Sequence, residues 1–461
     1  MIILQHFPRF VKGLYVFIID NTRKICYNFF NMILCIRVHA YSGGIDMSSK
    51  KRVLDALNHI QPDRIPVDFG SHPCSGMHVS TVTALREYYG LDRHPVKVIE
   101  PFQMLGEMEE DLKQVLGIDV DGVSGRTTMF GFENTGWKEW RLDSGLEVLV
   151  PRDFVTTEDA DGSHYIYPCG DTTAPASGKM PRDGYYFDAL VRQEEFDEDE
   201  LNVEDNLEEF GYTSDKVLAE FAEDLTKVQG SGRAVTVNFG GTALGDIAQV
   251  PAVNLKYPKG IRDMEEWYIS TVIRQDYVAE IFDRQTEIAL VNLQKLNAIA
   301  GDKIDVIFIC GTDFGTQSST FCSTDTFRSL YMPYYQRVNN WIHENTKWKT
   351  LKHSCGAIEP FIPLLIEAGF DILNPVQCSA VGMDPKHIKQ KYGRDIVFWG
   401  GGVDTQKLLP FGTPEQVREQ VKERCAIFGE GGGYVFNGIH NIQANTPVEN
   451  LAAMFEVLRS L

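Results

Sequence analysis

The residues of this sequence that most clearly suggest chemistry are His353 and Cys355, in the stretch "KHSCG". They end a short predicted strand, and in an extended chain the side chains of residues i and i+2 point to the same side. An imidazole and a thiol therefore reach one point. Three interpretations stand open: a metal-binding pair, a thiol nucleophile with its base, and two neighbours without a shared role.

A second histidine, His440 in "FNGIHNIQ", follows a later predicted strand. One thiolate and two imidazoles suit Zn²⁺, and three protein ligands leave the fourth tetrahedral position open for a substrate atom. A Cys–His nucleophile would need a third group to hold the base in line, and none is evident near His353. The sequence thus favours a zinc site of His353, Cys355 and His440, while His440 alone also fits a hydrogen-bonded core histidine.

Other polar residues stand where predicted strands end. Asp313 and Gln317 in "GTDFGTQ" and Glu100 in "VIEPFQ" are candidates for catalysis or substrate orientation. Asp404 and Gln406 in "GGGVDTQ" are candidates for cofactor binding, since the preceding glycines let a backbone approach a ligand closely. Each also has an ordinary structural role open to it, such as a loop cap, a solvated carboxylate or a turn.

The stretch "GSHPCSGMH" offers a second possible metal cluster. It places His72, Cys74 and His78 within a few residues of one another after an early predicted strand. Pro73 and the irregular spacing make this cluster a weaker prediction than the first.

The elements that must position these residues alternate between strands and helices from Met47 onward. Short apolar stretches that end in small or polar residues recur at "RIPVDFG" (64–70), "VTVNFGG" (235–241), "DVIFICG" (305–311), "DILNPV" (371–376), "DIVFWGGG" (395–402) and "GYVFNG" (433–438). Thr413 and Thr446 each precede Pro and stand three residues before Gln or Glu, which predicts two helices with capping boxes. No Gly-x-Gly-x-x-Gly follows an early strand, so we expect an α/β fold with a single (β/α)₈ TIM barrel, whose site lies at the carboxyl ends of its strands.

One segment, about 130–190, departs from this alternation. Its stretches "WKEWRLDSGLEVLVPRDF" and "GSHYIYPCGD" alternate polar and apolar residues around Asp-Ser-Gly and Asp-Gly turns, which is typical of β-hairpins. We expect a β-hairpin insertion that decorates one end of the barrel.

Composition narrows the class of partner. The chain has 461 residues and a formal charge of −20, which argues against a nucleic-acid partner and against attraction to an anionic membrane. Its nine cysteines form no dense framework, which suits free thiols in the reducing cytoplasm. A small molecule or a protein is the expected partner.

The first 46 residues differ from the rest in charge. They carry five Lys or Arg against two acids, whereas the remainder carries 39 against 62. A signal-like segment, a targeting peptide and translated sequence upstream of the real start are three explanations. Their apolar runs are too short to span a bilayer, and no cleavage site follows a clean apolar core. We expect 1–46 to be a non-native or disordered extension and 47–461 to form the barrel.

Three stretches closely resemble the uroporphyrinogen decarboxylase superfamily, in the branch that holds corrinoid-dependent methyltransferases. They are "HSCGAIEPFIPLLIEAGFDILNPVQ", "FWGGGVDTQKLLPFGTPEQVREQV" and "YVFNGIHNIQANTPVENLAAMFEVL", and the resemblance runs from about Met47 to Leu461. It implies a single (β/α)₈ barrel with its site in a deep cleft.

Two features separate the branches. The decarboxylase branch holds the carboxylates of its tetrapyrrole with arginines after its first strand, whereas here that loop reads "DFGSHPCSGMH" without an arginine. The coenzyme M methyltransferases take their third zinc ligand as a Cys where this chain has His440, and decarboxylases also carry a His there. Asp313 matches an aspartate that both branches keep, so it does not discriminate.

The expected function is therefore methyl transfer that depends on Zn²⁺. It would move a methyl group between a small molecule, such as a methoxylated aromatic or a thiol, and a corrinoid carried on a separate corrinoid-binding protein. The main alternative is uroporphyrinogen decarboxylase, with Asp313 beside the pyrrole and His440 on a carboxylate. A third possibility is a non-catalytic barrel that binds a corrinoid protein or ligand.

Overall fold

The protein was described from a computed structural model. It covers residues 47–239 and 243–461, together with the backbone of three short strands nearer the N-terminus. Those strands, Phe17–Ile19, Lys24–Phe29 and Met32–Arg37, pair antiparallel in a unit of their own, Met1–Met47. Most of 1–46 lies outside the described residues, so the expectation of a non-native or disordered extension stays a prediction.

The second unit, Ser48–Leu461, is built around a curled sheet of seven parallel strands. In chain order these strands are Val120–Ser124 (β1), Ala234–Asn238 (β2), Val306–Cys310 (β3), Lys349–His353 (β4), Ile372–Asn374 (β5), Val397–Trp399 (β6) and Tyr434–Val435 (β7). Strands adjacent in the chain are adjacent in the sheet, so all carboxyl ends meet at one edge.

Helices cross over between the strands, as the sequence predicts for parallel pairing. They are Ser49–Leu57, Val79–Tyr88, Glu110–Leu116, Asp215–Val228, Met264–Ile273, Gln275–Ala300, Thr324–Thr326, Met332–Asn345, Ile362–Glu367, Pro385–Tyr392, Leu408–Phe411, Pro414–Gly429 and Val448–Ser460. Among these described elements no helix combines the length and apolar character that a membrane span requires.

The stretch 64–70, predicted as a strand, contributes a single parallel bridge instead. Val67 pairs with Phe436 just after β7, and its carbonyl accepts the backbone N–H of Asp119 just before β1 at 2.8 Å. The side chain of Asp119 fixes the same place, because it accepts from the Val67 N–H at 3.0 Å and from Arg52 and Arg64. Val67 thus lies between the two edge strands of the sheet, while the complete eight-stranded barrel stays a prediction.

The strand β1 was not predicted, although it pairs with β2 in the same parallel fashion as the other strands of the sheet. Its sequence, "VDGVS", interrupts the apolar run with Asp121 and Gly122. A Cβ at Gly122 would lie 1.9 Å from the Ser71 carbonyl oxygen, so glycine is required where the loop after Val67 presses on β1.

The two predicted capping boxes have different outcomes. Thr413 caps Pro414–Gly429 together with Gln416, as predicted. The second box is wrong: the final helix has Pro447 at its N-cap, and the Thr446 hydroxyl donates to the Gln443 carbonyl at 2.9 Å instead of capping. Thr446 therefore closes a turn of the preceding loop.

The insertion contains the predicted hairpins. Lys138–Arg141 pairs antiparallel with Glu147–Val150 around the Asp-Ser-Gly turn, where Gly145 adopts a φ of +87°. A second, four-stranded antiparallel sheet joins Thr156–Glu158, His164–Ile166, Gly178–Met180 and Asp188–Ala189. Phe130, Phe154 and Phe187 from this region are fully buried and in ring contact, which anchors the insertion.

Candidate metal centre

The carboxyl ends of the strands open into a cavity of about 1220 Å³. Side chains from several strand ends line it, among them Asn238 of β2, Cys310 of β3 and His353 of β4. Cys74, Asp313 and His440 reach it from loops. The cavity lies where the chemistry of parallel α/β enzymes collects.

His353 and Cys355 converge as their spacing predicts. His353 is the last residue of β4, and its Nε2 lies 3.5 Å from Cys355 Sγ. Zinc bonds of 2.0–2.3 Å in a tetrahedron place neighbouring donors about 3.3–3.8 Å apart. The pair is therefore spaced as two corners of such a site.

Asn374 determines which nitrogen of His353 is free. Its Nδ2 donates to the Trp399 carbonyl at 2.8 Å, so its Oδ1 must be the atom that faces His353 Nδ1 at 2.7 Å. An amide oxygen only accepts, so Nδ1 carries the proton and Nε2 offers its lone pair towards Cys355. Such support from outside the ligand set is usual for metal-binding histidines.

Two donor groups share His353. The ligand atoms of Cys74, His353 and His440 lie within 4.8 Å of one another, and so do those of Asp313, His353 and Cys355. The rings of His353 and His440 are in edge contact, with centroids 5.3 Å apart. The predicted trio of His353, Cys355 and His440 thus does not form a single group: His440 belongs with Cys74, Cys355 belongs with Asp313, and His353 is common to both.

Asp313 is bound to the strand end that carries the thiol. Its Oδ1 accepts the Cys355 backbone N–H at 2.6 Å and lies 3.9 Å from His353 Nε2. Burial raises the pKa of the Asp313 carboxyl. Part of its hydrogen-bonding capacity is therefore already committed to the turn around Cys355.

Lys352 lies beneath the cluster and is fully buried. Its Nζ donates to the Thr312 carbonyl at 2.6 Å and also to the His353 carbonyl. It also lies over the rings of Phe314 and Tyr335. The ammonium thereby connects the loop after β3 to the end of β4 without reaching the cavity wall.

Burial controls the protonation of the donors. It lowers the pKa of His353 to about 3, with the charge of His440 acting in the same direction. It raises the pKa of the Cys355 thiol well above its ordinary value, and the Asp313 charge adds to this. The pKa of the Cys74 thiol is raised in the same way, first by burial and then by the charge of Asp246. Metal-free, the cluster thus holds a neutral imidazole and two protonated thiols.

The other predicted residues divide into two sets. Glu100 lines the cavity, accepts from the backbone N–H groups of Phe102 and Gln103 at 3.0 and 2.8 Å, and has its pKa raised by burial to about 7. Gln406 also lines the cavity.

Asp404 and Gln317 lie away from the described cavity wall. Asp404 accepts from the backbone N–H groups of Gln406 and Lys407, which is the turn role left open by the sequence. Gln317 is exposed, and its carbonyl accepts from the Val381 N–H at 3.0 Å.

The second cluster suggested by the sequence does not form. His78 caps the helix Val79–Tyr88 through the Ser80 N–H, and its Nε2 lies 2.9 Å from the Tyr185 carbonyl. His72 is buried 3.8 Å from Asp68, and its pKa is lowered to about 3 by burial and by the two site histidines. Cys74 alone joins the metal cluster.

One further acid escaped prediction. Asp246 follows β2 and lines the cavity, and burial raises its pKa. Among the described cavity-lining residues the acids are Glu100, Glu209, Asp246 and Asp313, while none is Lys or Arg. The described wall thus carries aromatic rings and acids, but no lysine or arginine that would pair with an anionic group.

Comparison with known proteins finds similarity over part of this chain. Residues 258–461 match the family model of uroporphyrinogen decarboxylase (URO-D). The resemblance to that superfamily recognised from the sequence is thereby confirmed.

Individual relatives include both a methyltransferase and decarboxylases. The chain is 26% identical over 195 residues to the methylated-thiol–coenzyme M methyltransferase of Methanosarcina mazei. This match covers 42% of this chain and 47% of the relative. The chain is 34% identical over 88 residues to uroporphyrinogen decarboxylase of Psychromonas ingrahamii, and that match covers 18% of this chain and 24% of the relative. The chain thus matches about half or less of these relatives' length.

A solved methyltransferase from Methanosarcina mazei shares the fold. It superposes with a TM-score of 0.51 at 15% sequence identity, over 90% of this chain and 99% of that chain. This likeness concerns the fold.

Proposed function

We propose that this protein is a zinc-dependent methyltransferase that moves a methyl group between a small molecule and a corrinoid carried on a separate corrinoid-binding protein. The observation that carries the proposal is the pair at the end of β4. His353 lines the large cavity at the strand ends and presents its unprotonated Nε2 at 3.5 Å from the Cys355 thiol. The partial similarity to a methyltransferase supports the same chemistry.

The residues present fit a zinc ion. His353, Cys355 and His440 would hold it, because a neutral imidazole with a fixed tautomer and a thiol are suited to zinc. His353 belongs to both donor groups, one with His440 and one with Cys355, so binding all three would require the two groups to draw together. Bound Zn²⁺ supplies Lewis acidity at the oxygen or sulfur from which, or to which, the methyl group moves. Thiol ligands require a reducing environment, so a cytoplasmic location belongs to the proposal.

The other predicted residues would position the substrate directly or hold the loops around the cavity. Asp313 holds the turn of Cys355 in place through the backbone N–H, and Glu100 presents a carboxyl with a pKa near neutrality. Gln406 offers an amide at the rim, with Asp404 fixing its turn. Gln317 supports the neighbouring loop through Val381.

The proposal includes closure of the sheet into a (β/α)₈ barrel. The backbone bonds from Val67 to Phe436 and to Asp119 support it, because they join both edge strands through one residue. Such closure would bring the loop of Cys74 over the same cavity as the loops of β3, β4 and β7.

We favour a methyl ether, such as a methoxylated aromatic, over a thiol as the small molecule. Phe102, Phe221, Phe239 and Phe308 line the cavity, which suits a neutral aromatic ring. The lack of lysine and arginine among the described lining residues disfavours a substrate with a sulfonate or carboxylate group.

The same wall argues against the alternative of a tetrapyrrole decarboxylase. A substrate with many carboxylates needs arginine or lysine partners, and the described wall offers neither. A barrel that binds a corrinoid protein without turnover would not need His353 and Cys355 to lie within 3.5 Å of each other, so their contact also argues against this third alternative.

Metal analysis of the purified protein tests the proposal. After loading with zinc and dialysis, wild type should retain stoichiometric zinc, and His353→Ala and Cys355→Ser should lose it. His387→Ala, at an exposed histidine beside Glu359, is the matched control and should retain it. A wild type without retained zinc would overturn the proposal.

Turnover separates the remaining alternatives. Wild type should demethylate a methoxylated aromatic when a corrinoid protein with reduced cobalt is supplied, and His353→Ala should not. Release of carbon dioxide from uroporphyrinogen would favour the decarboxylase. Binding of the corrinoid protein without turnover of any substrate, unchanged in His353→Ala, would favour the non-catalytic barrel.

A further inference from the structure

We infer that Cys74 is a fourth protein ligand of the metal, so that its resting shell contains two thiolates and two imidazoles, which a substrate atom would join as a fifth ligand or enter by displacing one of the four. This inference rests on the proposed zinc site. It adds a residue from the loop after Val67, distant in sequence from the other three donors.

Position is the first argument. Cys74 lines the cavity, and its Sγ lies within 4.8 Å of donor nitrogens of both His353 and His440. His353 in turn lies 3.5 Å from Cys355 Sγ. His353 is therefore the one donor that the group of Cys74 and the group of Cys355 have in common.

The loop that carries Cys74 is well fixed. Pro73–Ser75 forms a single helical turn, with the Ser75 N–H donating to the His72 carbonyl at 2.9 Å and the Gly70 N–H to the Ser75 carbonyl at 3.0 Å. The Ser71 carbonyl presses against Gly122 of β1. The backbone of this loop is thus held in place by hydrogen bonds and packing, and it fixes where the Cys74 thiol lies.

Asp313 is the competing donor, and it is less available. Its Oδ1 already accepts the Cys355 N–H at 2.6 Å, so metal binding would compete with that bond. Within the described part of the chain the Cys74 Sγ makes no comparable hydrogen bond. This half-buried thiol lies beside the donor nitrogens of two imidazoles, so a metal ion could bind it without breaking an existing bond.

Charge balance is the second argument. Zn²⁺ with one thiolate and uncharged imidazole ligands would give the shell itself a charge of +1, whereas two thiolates make the shell neutral. On binding, each thiol gives up its proton to solvent, and the two sulfur lone pairs form the metal bonds. The described wall supplies no lysine or arginine that would otherwise stabilise an additional free thiolate.

Cobalt substitution counts the thiolates directly. Co²⁺ added to the metal-free full-length protein should give a thiolate-to-cobalt charge-transfer absorption, which Cys74→Ser and Cys355→Ser should each reduce about twofold. The double variant should lose it. Cys322→Ser is the matched control, a half-buried thiol outside both donor groups, and should leave the absorption unchanged.

Alkylation of wild type gives a second measurement that needs no variant to fold. Stoichiometric zinc should slow the reaction of iodoacetamide with Cys74 and Cys355, but not with Cys322, as mapped by mass spectrometry. Full absorption in Cys74→Ser, or alkylation of Cys74 at the same rate with and without zinc while Cys355 is protected, would overturn this inference alone. A wild type that binds neither metal would overturn the proposed function as well.

Discussion

Asn374 Oδ1 lies 2.7 Å from His353 Nδ1, and this contact determines which face of the imidazole is offered to the cavity. The two residues end neighbouring parallel strands and are paired in register. The sheet itself therefore brings the amide beside the ring.

Replacement of this amide should weaken metal binding. Asn374→Ala removes the acceptor that keeps the proton on Nδ1, and loss of such support lowers metal affinity by about 10–100-fold. Competition against a chromogenic zinc chelator measures the change. Asn339→Ala is the control, a buried asparagine whose Nδ2 donates to the Ala368 carbonyl, and should leave affinity unchanged. Equal affinity in Asn374→Ala would contradict the assigned role.

Asp119 should be a major contributor to stability. It is fully buried, and removal of its carboxylate by Asp119→Ala leaves two arginines without it, which costs about 3–5 kcal/mol. Urea unfolding at neutral pH measures the loss. Asp302→Ala breaks the exposed pair with Lys347 and should cost about 0–1 kcal/mol. Similar costs for the two variants would show that Asp119 does not hold the Val67 junction.

Crowding at Gly122 should make this position intolerant of a side chain. Gly122→Ala places a Cβ 1.9 Å from backbone of the loop that carries Cys74, so the loop must shift, at a cost of about 1–3 kcal/mol or more. Thermal unfolding measures it. Gly125→Ala, just beyond the same strand, meets only a Phe221 ring carbon at 3.9 Å and should be tolerated. A fully stable Gly122→Ala protein would refute the close approach.

The ion pair of Glu110 and Arg233 should make part of the stability depend on pH. Two hydrogen bonds from Arg233 lower the pKa of Glu110 from 4.5 to about 2. Its folded pKa is the lower one, so the stabilisation is present above pH 4.5 and is lost as the pH falls towards 2. The side chain of Glu110 is 57% exposed, so the effect is small, below about 1 kcal/mol.

Urea unfolding of wild type and Glu110→Gln checks this dependence. The difference in unfolding free energy should be measurable at pH 7 and should shrink at pH 3. A difference that grew on acidification would contradict the sign.

The sequence was informative where one pattern decides the outcome. Apolar runs ending in small residues located β2, β3, β5, β6 and β7, and the i, i+2 spacing at the end of β4 brought His353 and Cys355 together. Capping was less reliable, because Thr446 had a nearby carbonyl, that of Gln443, as a competing partner for its hydroxyl. Local signals therefore succeed until a neighbouring segment offers an alternative bond.

What the sequence did not reveal depends on contacts between distant segments. The strand β1 was missed because two of its residues break the apolar pattern. Asp121 accepts a hydrogen bond from Lys113, and Gly122 makes room for the loop of Ser71. Cys74 seemed to belong with His72 and His78, its neighbours in the chain, whereas folding turns it towards His353 and His440. Such partners are set by which strand ends meet.

Lys352 has a consequence for how the proposed metal would be bound. Its bonds to the Thr312 and His353 carbonyls hold the loop that carries Asp313 against the strand end that carries His353. The centre should therefore behave as a preformed chelator, in which uptake and loss of metal are exchange events between the protein and its surroundings, and not episodes of folding and unfolding.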